Sequence, residues 1–227
     1  MLASQMKRFN ILEEMERLAL GQEAPRSKQF TLNSFFSAQP STCQIVPAKP
    51  TTCQSPPVQT TTYHIFTDGA CPNNGRRGAK ASYAIVFLGT EEQGSPKLEV
   101  AQAVSQLEPQ TNQRAELSAI YNAVQIVQER NIWKEADKIC FWTDSQYAIK
   151  CITEWGLGWK AKGWKKRDGK PIEHLDLLKP LILLREEKGS KFTLKYVEAH
   201  QGAVRSMTFP WRWNARADAL AQGISNN

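Results

Sequence analysis

The chain has 227 residues, 41% of them hydrophobic, enough for one domain of ordinary size with some chain to spare. No apolar run is long enough to cross a bilayer, Met1 to Leu20 hold no signal-peptide core, and Glu13, Glu14 and Glu16 argue against a transit peptide. Five cysteines without a C-x-x-C spacing point to free thiols in a reducing, intracellular compartment rather than a disulfide frame or zinc site, and a net charge of +7 permits a polyanionic partner.

Residues 1–62 differ from the rest. One amphipathic helix, Phe9 to Leu18, fits within 7–20, and beyond it Pro25, Pro40, Pro47, Pro50, Pro56 and Pro57 are scattered among Thr, Ser and Gln. Such a segment cannot bury enough apolar surface to offset its ordering entropy, so a disordered N-terminal tail is expected. Within it, Leu32, Phe35 and Phe36 fall at i, i+3 and i+4, and one helical turn would put all three on a single face. An exposed wedge of this kind gains nothing unless a groove on a partner receives it. Residues 29–36 resemble the box by which replication and repair proteins dock on the sliding clamp, proliferating cell nuclear antigen. That resemblance implies clamp binding by Gln29, Leu32, Phe35 and Phe36. The plainer alternative is an aromatic cluster that packs back on the globular part.

From Tyr63 to the end, residues 63–227, the chain reads as globular. Tyr63 to Thr67 has the aromatic and β-branched content of a strand, delivers Asp68 at its end, and is stopped by Ala70-Cys71-Pro72-Asn73-Asn74-Gly75. Taken alone, Asp68-Gly69 reads as an exposed hairpin turn. Residues 81–88 and 98–104 continue a meander. Helical periodicity then begins after Thr111, a natural N-cap, with Ala115, Leu117, Ile120, Ala123, Val124 and Val127 on the buried stripe. A fourth strand over 139–143 again ends in an acid, Asp144. A helix over 175–187, a fifth strand over 192–197 and a short helix over 214–221 carrying Asp218 complete the chain. Strands in a meander, then alternating with helices, predict an α/β fold with a five-stranded mixed sheet flanked by helices.

Asp68, Glu116, Asp144 and Asp218 come from separate elements, and each taken singly reads as a solvated carboxylate. Brought together they would repel, and some pKa values would rise unless divalent metal occupied the site. An all-oxygen ligand set suits Mg²⁺ or Mn²⁺ rather than zinc.

Thr67-Asp68-Gly69-Ala70-Cys71, Thr111 to Glu116, Thr143-Asp144-Ser145, His200-Gln201-Gly202 and Asn214 to Asp218 resemble, in order and in residue type, the motifs of type 1 ribonuclease H. The resemblance runs from about Tyr63 to Ile224 and implies a ribonuclease H-like fold. It also implies an endonuclease that cuts the RNA strand of RNA–DNA hybrids with two Mg²⁺ ions, leaving a 5′-phosphate. By that resemblance Asp68 bridges both ions, and Glu116, Asp144 and Asp218 complete their shells. Glu116 lies near a ribose 2′-hydroxyl, and His200 assists proton transfer or product exchange. Asn74, Asn112 and Gln113 read the minor groove of the hybrid. Read for themselves, these three are ordinary turn and cap residues, and His200 is a solvated loop histidine.

Trp155 to Lys170 interleaves Trp155, Trp159 and Trp164 with Lys160, Lys162, Lys165, Lys166, Arg167 and Lys170, against one acid, Asp168. Six cations less one acid give +5 of the total +7. Cations and aromatics together suit phosphate neutralisation and stacking, and the glycines argue against a compact buried helix, although one Trp is granted to the core. The segment resembles the basic protrusion of type 1 enzymes, which implies that Trp155 and Trp159 line a DNA channel. Two positions depart from the family's DNA-phosphate pocket, which retains Thr111. Pro109 stands where an arginine is common, and His174 aligns with an asparagine. Residues 201–213 form a long loop whose aromatics would shield the site or touch substrate. The tail with its clamp box takes the place of an N-terminal hybrid-binding module. The expected protein is a monomeric enzyme acting at replication sites, in the nucleus or in a viral or cytoplasmic replication compartment. Two alternatives stand beside it: a retroelement ribonuclease H domain, and an inactive hybrid-binding or clamp-adaptor protein.

Overall fold

A computed structural model describes residues 60–92, 94–199 and 207–225. The clamp-binding box at 29–36, the helix at 7–20, His200 and residues 201–206 lie outside these.

Strands β1 (Thr62–Ala70), β2 (Ser82–Gly89) and β3 (Leu98–Ala103) form the predicted antiparallel meander. Strand β4 (Lys138–Thr143) pairs in parallel with the other edge of β1, and β5 (Phe192–Tyr196) pairs in parallel with β4, giving the order β3-β2-β1-β4-β5. Parallel neighbours need crossovers. Helices α1 (Asn112–Glu129) and α2 (Ile132–Glu135) lead into β4. Between β4 and β5 run α3 (Gln146–Lys150), a π-helical turn (Cys151–Trp155), α4 (Gly156–Ala161) and α5 (Leu175–Lys188). Helix α6 (Trp211–Ser225) closes the described chain. Among the described residues no helix is long and apolar enough to cross a membrane.

The sheet is buried on both faces because its central strands are apolar at consecutive positions. Ile65, Ile139 and Phe141 face a large core shared with α1 and α5, while Phe66, Cys140 and Trp142 alternate to the opposite face and meet Trp213 and Ala217 of α6. Each fully buried Phe or Ile stabilises the fold by roughly 1.5–3 kcal/mol relative to exposure. Thr111 caps α1 as predicted, its hydroxyl oxygen accepting the Arg114 N–H at 3.1 Å.

Four expectations are corrected. Asp68 is not at a strand end or in a hairpin turn; β1 continues to Ala70, and Asp68 pairs with Ala84 of β2. Gly69 serves close packing instead, since a Cβ there would collide with the backbone of Ala115 and Glu116. Second, Gly156 and Gly158 lie inside a helix, and Gly156 is buried because a Cβ would stand 2.7 Å from Cδ1 of Ile182 on α5. Third, Trp159 and Trp164 both pack against the main core, so two of the three tryptophans, not one, are partly structural. Fourth, the aromatics at the end of the long loop do not stand over the acids. Trp211 to Trp213 already belong to α6, Trp213 is buried, and Phe209 meets His64, Phe66 and Trp142 edge-on at 5.2–5.8 Å.

Candidate active site

Three secondary-structure elements deliver three carboxylates to one point. Asp68 comes from β1, two residues before its end, Glu116 from the second turn of α1 and Asp144 from just beyond β4. One ligand oxygen from each lies within 4.8 Å of the others. The close approach of α1 to β1 over Gly69 brings Glu116 in, and the Gly69 N–H donates to its carboxylate. Asp218 of α6 lines the same open cleft, of about 340 Å³, together with Asp68, Glu116, Asp144, Asn112 and Gln222. All four acids singled out in the sequence therefore border one cavity.

Like charge and burial set the electrostatics. Burial, then the charges of Asp144 and Asp218, push the Asp68 carboxyl up to about 9. Burial raises Glu116 well above the ordinary carboxylate range, with Asp68, Asp144 and Asp218 adding to the shift. Asp144 is raised too, by burial first, with the Asn214 side chain donating to its carboxylate and pulling the other way. Glu116 is only 8% exposed, and its Oε2 is buried without a hydrogen-bond partner among the described residues. Acids held this way are costly as anions unless a positive charge joins them. The donors are all oxygen, so the set fits a hard divalent cation such as Mg²⁺.

Asn74, Asn112 and Gln113 meet on a second cleft beside the acids, which they line with Glu116, Asp144 and Tyr147. The Asn112 N–H donates to Asn74 Oδ1 at 3.2 Å, tying the β1–β2 turn to the start of α1. Their amides thus flank the carboxylates on a surface open to a ligand.

The basic segment is less charged than its sequence suggests. Lys160 pairs with Glu186 at 2.6 Å, Lys166 with Glu173 at 2.8 Å and Lys170 with Asp168 at 3.1 Å. Lys162, Lys165 and Arg167 have no ion-pair partner among the described residues. Trp155 is 43% exposed and leans on Trp159 at 6.0 Å between ring centroids, while Lys179 Nζ sits 5.8 Å from the Trp164 ring. Of the three rings, Trp155 presents the most surface to solvent.

The neighbourhood of Pro109 and His174 is organised around Arg114. This residue is buried and forms a two-pronged pair with Asp176, at 2.6 and 2.7 Å, and a third contact with Glu108 at 2.8 Å. A buried guanidinium requires such partners. Gln110 spends its amide on the local backbone, accepting from the Ala81 N–H and donating to the Ser105 and Glu108 carbonyls. His174 precedes α5 in the left-handed region, and burial first, then the Arg114 charge, lowers its pKa. Two carboxylates therefore stand beside Thr111 and His174.

Two further residues join the site: Asn214, read in the sequence only as the start of the Asp218 motif, and Gln222. Asn214 and Gln222 lie four residues before and after Asp218, on the same stripe of α6. Asn214 is buried and serves Asp144, whereas Gln222 Nε2 donates to Asp218 Oδ1 at 2.6 Å. The i, i+4, i+8 spacing was the available signal, once Asp218 was set inward.

A family model described as RNase H matches residues 60–225. Ribonuclease H of Cupriavidus pinatubonensis is 36% identical over 163 residues, covering 71% of this chain and 94% of that protein. The fold is similar to the solution structure of the PFV RNase H domain, with a TM-score of 0.58 and 21% identity over 74% of this chain and 96% of that one. It is also similar to part of the foamy viral protease-reverse transcriptase solved in complex with RNA/DNA hybrid. There the TM-score is 0.57 at 17% identity, over 79% of this chain and 22% of that one.

Proposed function

Because the chain belongs to the ribonuclease H family and is a ribonuclease H enzyme, we propose that it hydrolyses the RNA strand of RNA–DNA hybrids as a type 1 enzyme, leaving a 5′-phosphate. The observation that carries this reading is the meeting of Asp68, Glu116 and Asp144 within 4.8 Å, with Asp218 on the same cleft. These four side chains would hold two divalent ions, Mg²⁺ or Mn²⁺. Such ions supply an activated water and neutralise charge on the phosphodiester and its leaving oxygen.

The residues of the chain supply position and selectivity. Asn74, Asn112 and Gln113 would accept and donate along the minor groove, and Glu116 would meet the 2′-hydroxyl that marks RNA. Trp155, Trp159, Trp164 and the cations Lys160, Lys162, Lys165, Lys166 and Arg167 would run beside the DNA strand, with Thr111 and His174 near one of its phosphates. His200 would assist proton transfer or product exchange. Residues 1–62 would act as a tail whose box, Gln29, Leu32, Phe35 and Phe36, binds a sliding clamp and raises the local concentration of the monomeric enzyme at replication sites. Among the described residues Cys71, Cys140 and Cys151 are free thiols.

Labelled hybrid, duplex DNA and duplex RNA incubated with and without Mg²⁺ test the reaction. Cleavage confined to the RNA of the hybrid, and dependent on the ion, is expected; equal cleavage of duplex DNA would overturn the reading. Clamp pull-down with Phe35→Ala/Phe36→Ala tests the tail, and retention of clamp binding would remove that part.

A further inference from the structure

We propose that the β1–β2 turn, through Arg76, Arg77 and Lys80, is a second phosphate-binding surface that grips the backbone of the nucleic acid beside the acidic cluster. The proposal rests on the hybrid as substrate. Nothing in the basic Trp155–Lys170 segment is needed for it.

The turn is built to one shape. Asn73, Gly75 and Gly78 take left-handed φ values of 59°, 76° and 83°. Four backbone hydrogen bonds close it: Asn74 N to Cys71 O at 3.1 Å, Arg76 N to Asn73 O at 2.8 Å, Ala79 N to Arg76 O at 3.2 Å and Lys80 N to Pro72 O at 3.4 Å. A surface fixed before binding loses little ordering entropy when it binds.

Its charge is uncompensated. Arg76, Arg77 and Lys80 are all exposed, and none has an ion-pair partner among the described residues. In the basic segment half of the cations, Lys160, Lys166 and Lys170, already meet Glu186, Glu173 and Asp168, whereas in the turn none of the three is paired among the described residues. Three cations crowded on one short turn repel one another, and a phosphate backbone relieves that repulsion. Guanidinium groups match phosphate with paired N–H donors, which favours phosphate over a diffuse acidic surface.

Position links the turn to the site. Cys71 and Pro72, at its base, line the cleft of the four acids, and Asn74 lines the adjoining one. The bond from Asn112 N to Asn74 Oδ1 fixes the turn against the first residue of α1, one helical turn before Glu116. A strand lying across Asn74, Asn112 and Glu116 therefore passes the turn, which can hold the phosphates on either side of the scissile one.

The test is a salt titration of affinity for a labelled hybrid, made in an Asp144→Asn background so that binding is read without cleavage. Arg76→Ala/Arg77→Ala is compared with the charge-matched Arg130→Ala/Lys134→Ala, whose side chains are also exposed and without an ion-pair partner among the described residues. The turn variant is expected to lose about tenfold in affinity near 0.1 M salt, and its slope of log K against log salt should be shallower by roughly 1–2. The control should stay near the parent, and Arg76→Lys/Arg77→Lys should recover most of the affinity. Equal slopes in turn variant and control would overturn the proposal while leaving the ribonuclease reading intact. Failure of the Asp144→Asn protein to bind hybrid at all would instead strike that reading, and the inference with it.

Discussion

Gln222 Nε2 donates a 2.6 Å hydrogen bond to Oδ1 of Asp218, one turn earlier on the same helix, and both side chains line the cleft that holds Asp68, Glu116 and Asp144. The amide holds one oxygen of Asp218, the acid that α6 contributes to the cleft. Partners that orient a ligand typically alter metal affinity by about 10–100-fold. Gln222 is exposed, so Gln222→Ala should raise the Mg²⁺ concentration for half-maximal activity by about tenfold, at the low end of that range, with hybrid affinity unchanged. A Mg²⁺ titration of cleavage checks this; an unaltered midpoint would leave Gln222 without a positioning role.

Gly69→Ala should be costly. The new methyl would enter the backbone of Ala115 and Glu116, so α1 must shift away from β1. Overpacking of this kind costs about 1–3 kcal/mol, and here it also moves Glu116 out of the cluster. Urea unfolding should show that loss, and cleavage should fall further than stability alone explains. Wild-type stability together with wild-type activity would contradict the packing account.

The clustered acids predict how pH acts on the metal-free protein. The Asp68 carboxyl, raised in the fold to about 9 by burial and by Asp144 and Asp218, binds its proton more tightly than in the unfolded chain. Its contribution to stability is therefore complete below the unfolded value, 3.8, and is lost as pH rises toward 9. Glu116, raised in the same direction, adds to the trend. Thermal unfolding in EDTA should show Tm falling between about pH 5 and pH 9, a window set by these shifts. Mg²⁺ should reverse the fall, and its affinity should strengthen with pH as it displaces those protons. In Asp68→Asn the decline should flatten; a metal-independent, pH-independent Tm would contradict the electrostatic account.

Much of this was legible in the sequence, for identifiable reasons. The strands over 81–88 and 139–143 announce themselves through β-branched and aromatic runs, and Thr111 caps its helix as a Thr should. The four acids could be named in advance because each stands in a short motif. What stayed hidden depended on partners distant in the chain. Gly69 reads as a turn residue until α1 is laid across it, and Gly156 as a helix breaker until Ile182 occupies the missing Cβ. The charge of Lys160 is cancelled by Glu186, 26 residues on, which no local count registers. Asn214 and Gln222 look like solvated helix positions because the orientation of α6 is set by Ala217, Ala221 and Trp213, buried against the sheet. The same dependence on context left the role of the aromatics of 209–213 open, and Phe209, Trp211 and Trp213 join the second core.

The most direct measurement is single-turnover cleavage of a labelled RNA–DNA hybrid by Asp144→Asn, set beside its affinity for the same hybrid. The account predicts Mg²⁺-dependent cleavage lowered by about 100–1,000-fold, on the order of what losing one electrostatic support of a transition state costs, with affinity within a few-fold of the parent. Cleavage retained to within a few-fold would show that Asp68, Glu116, Asp144 and Asp218 do not act as one metal site.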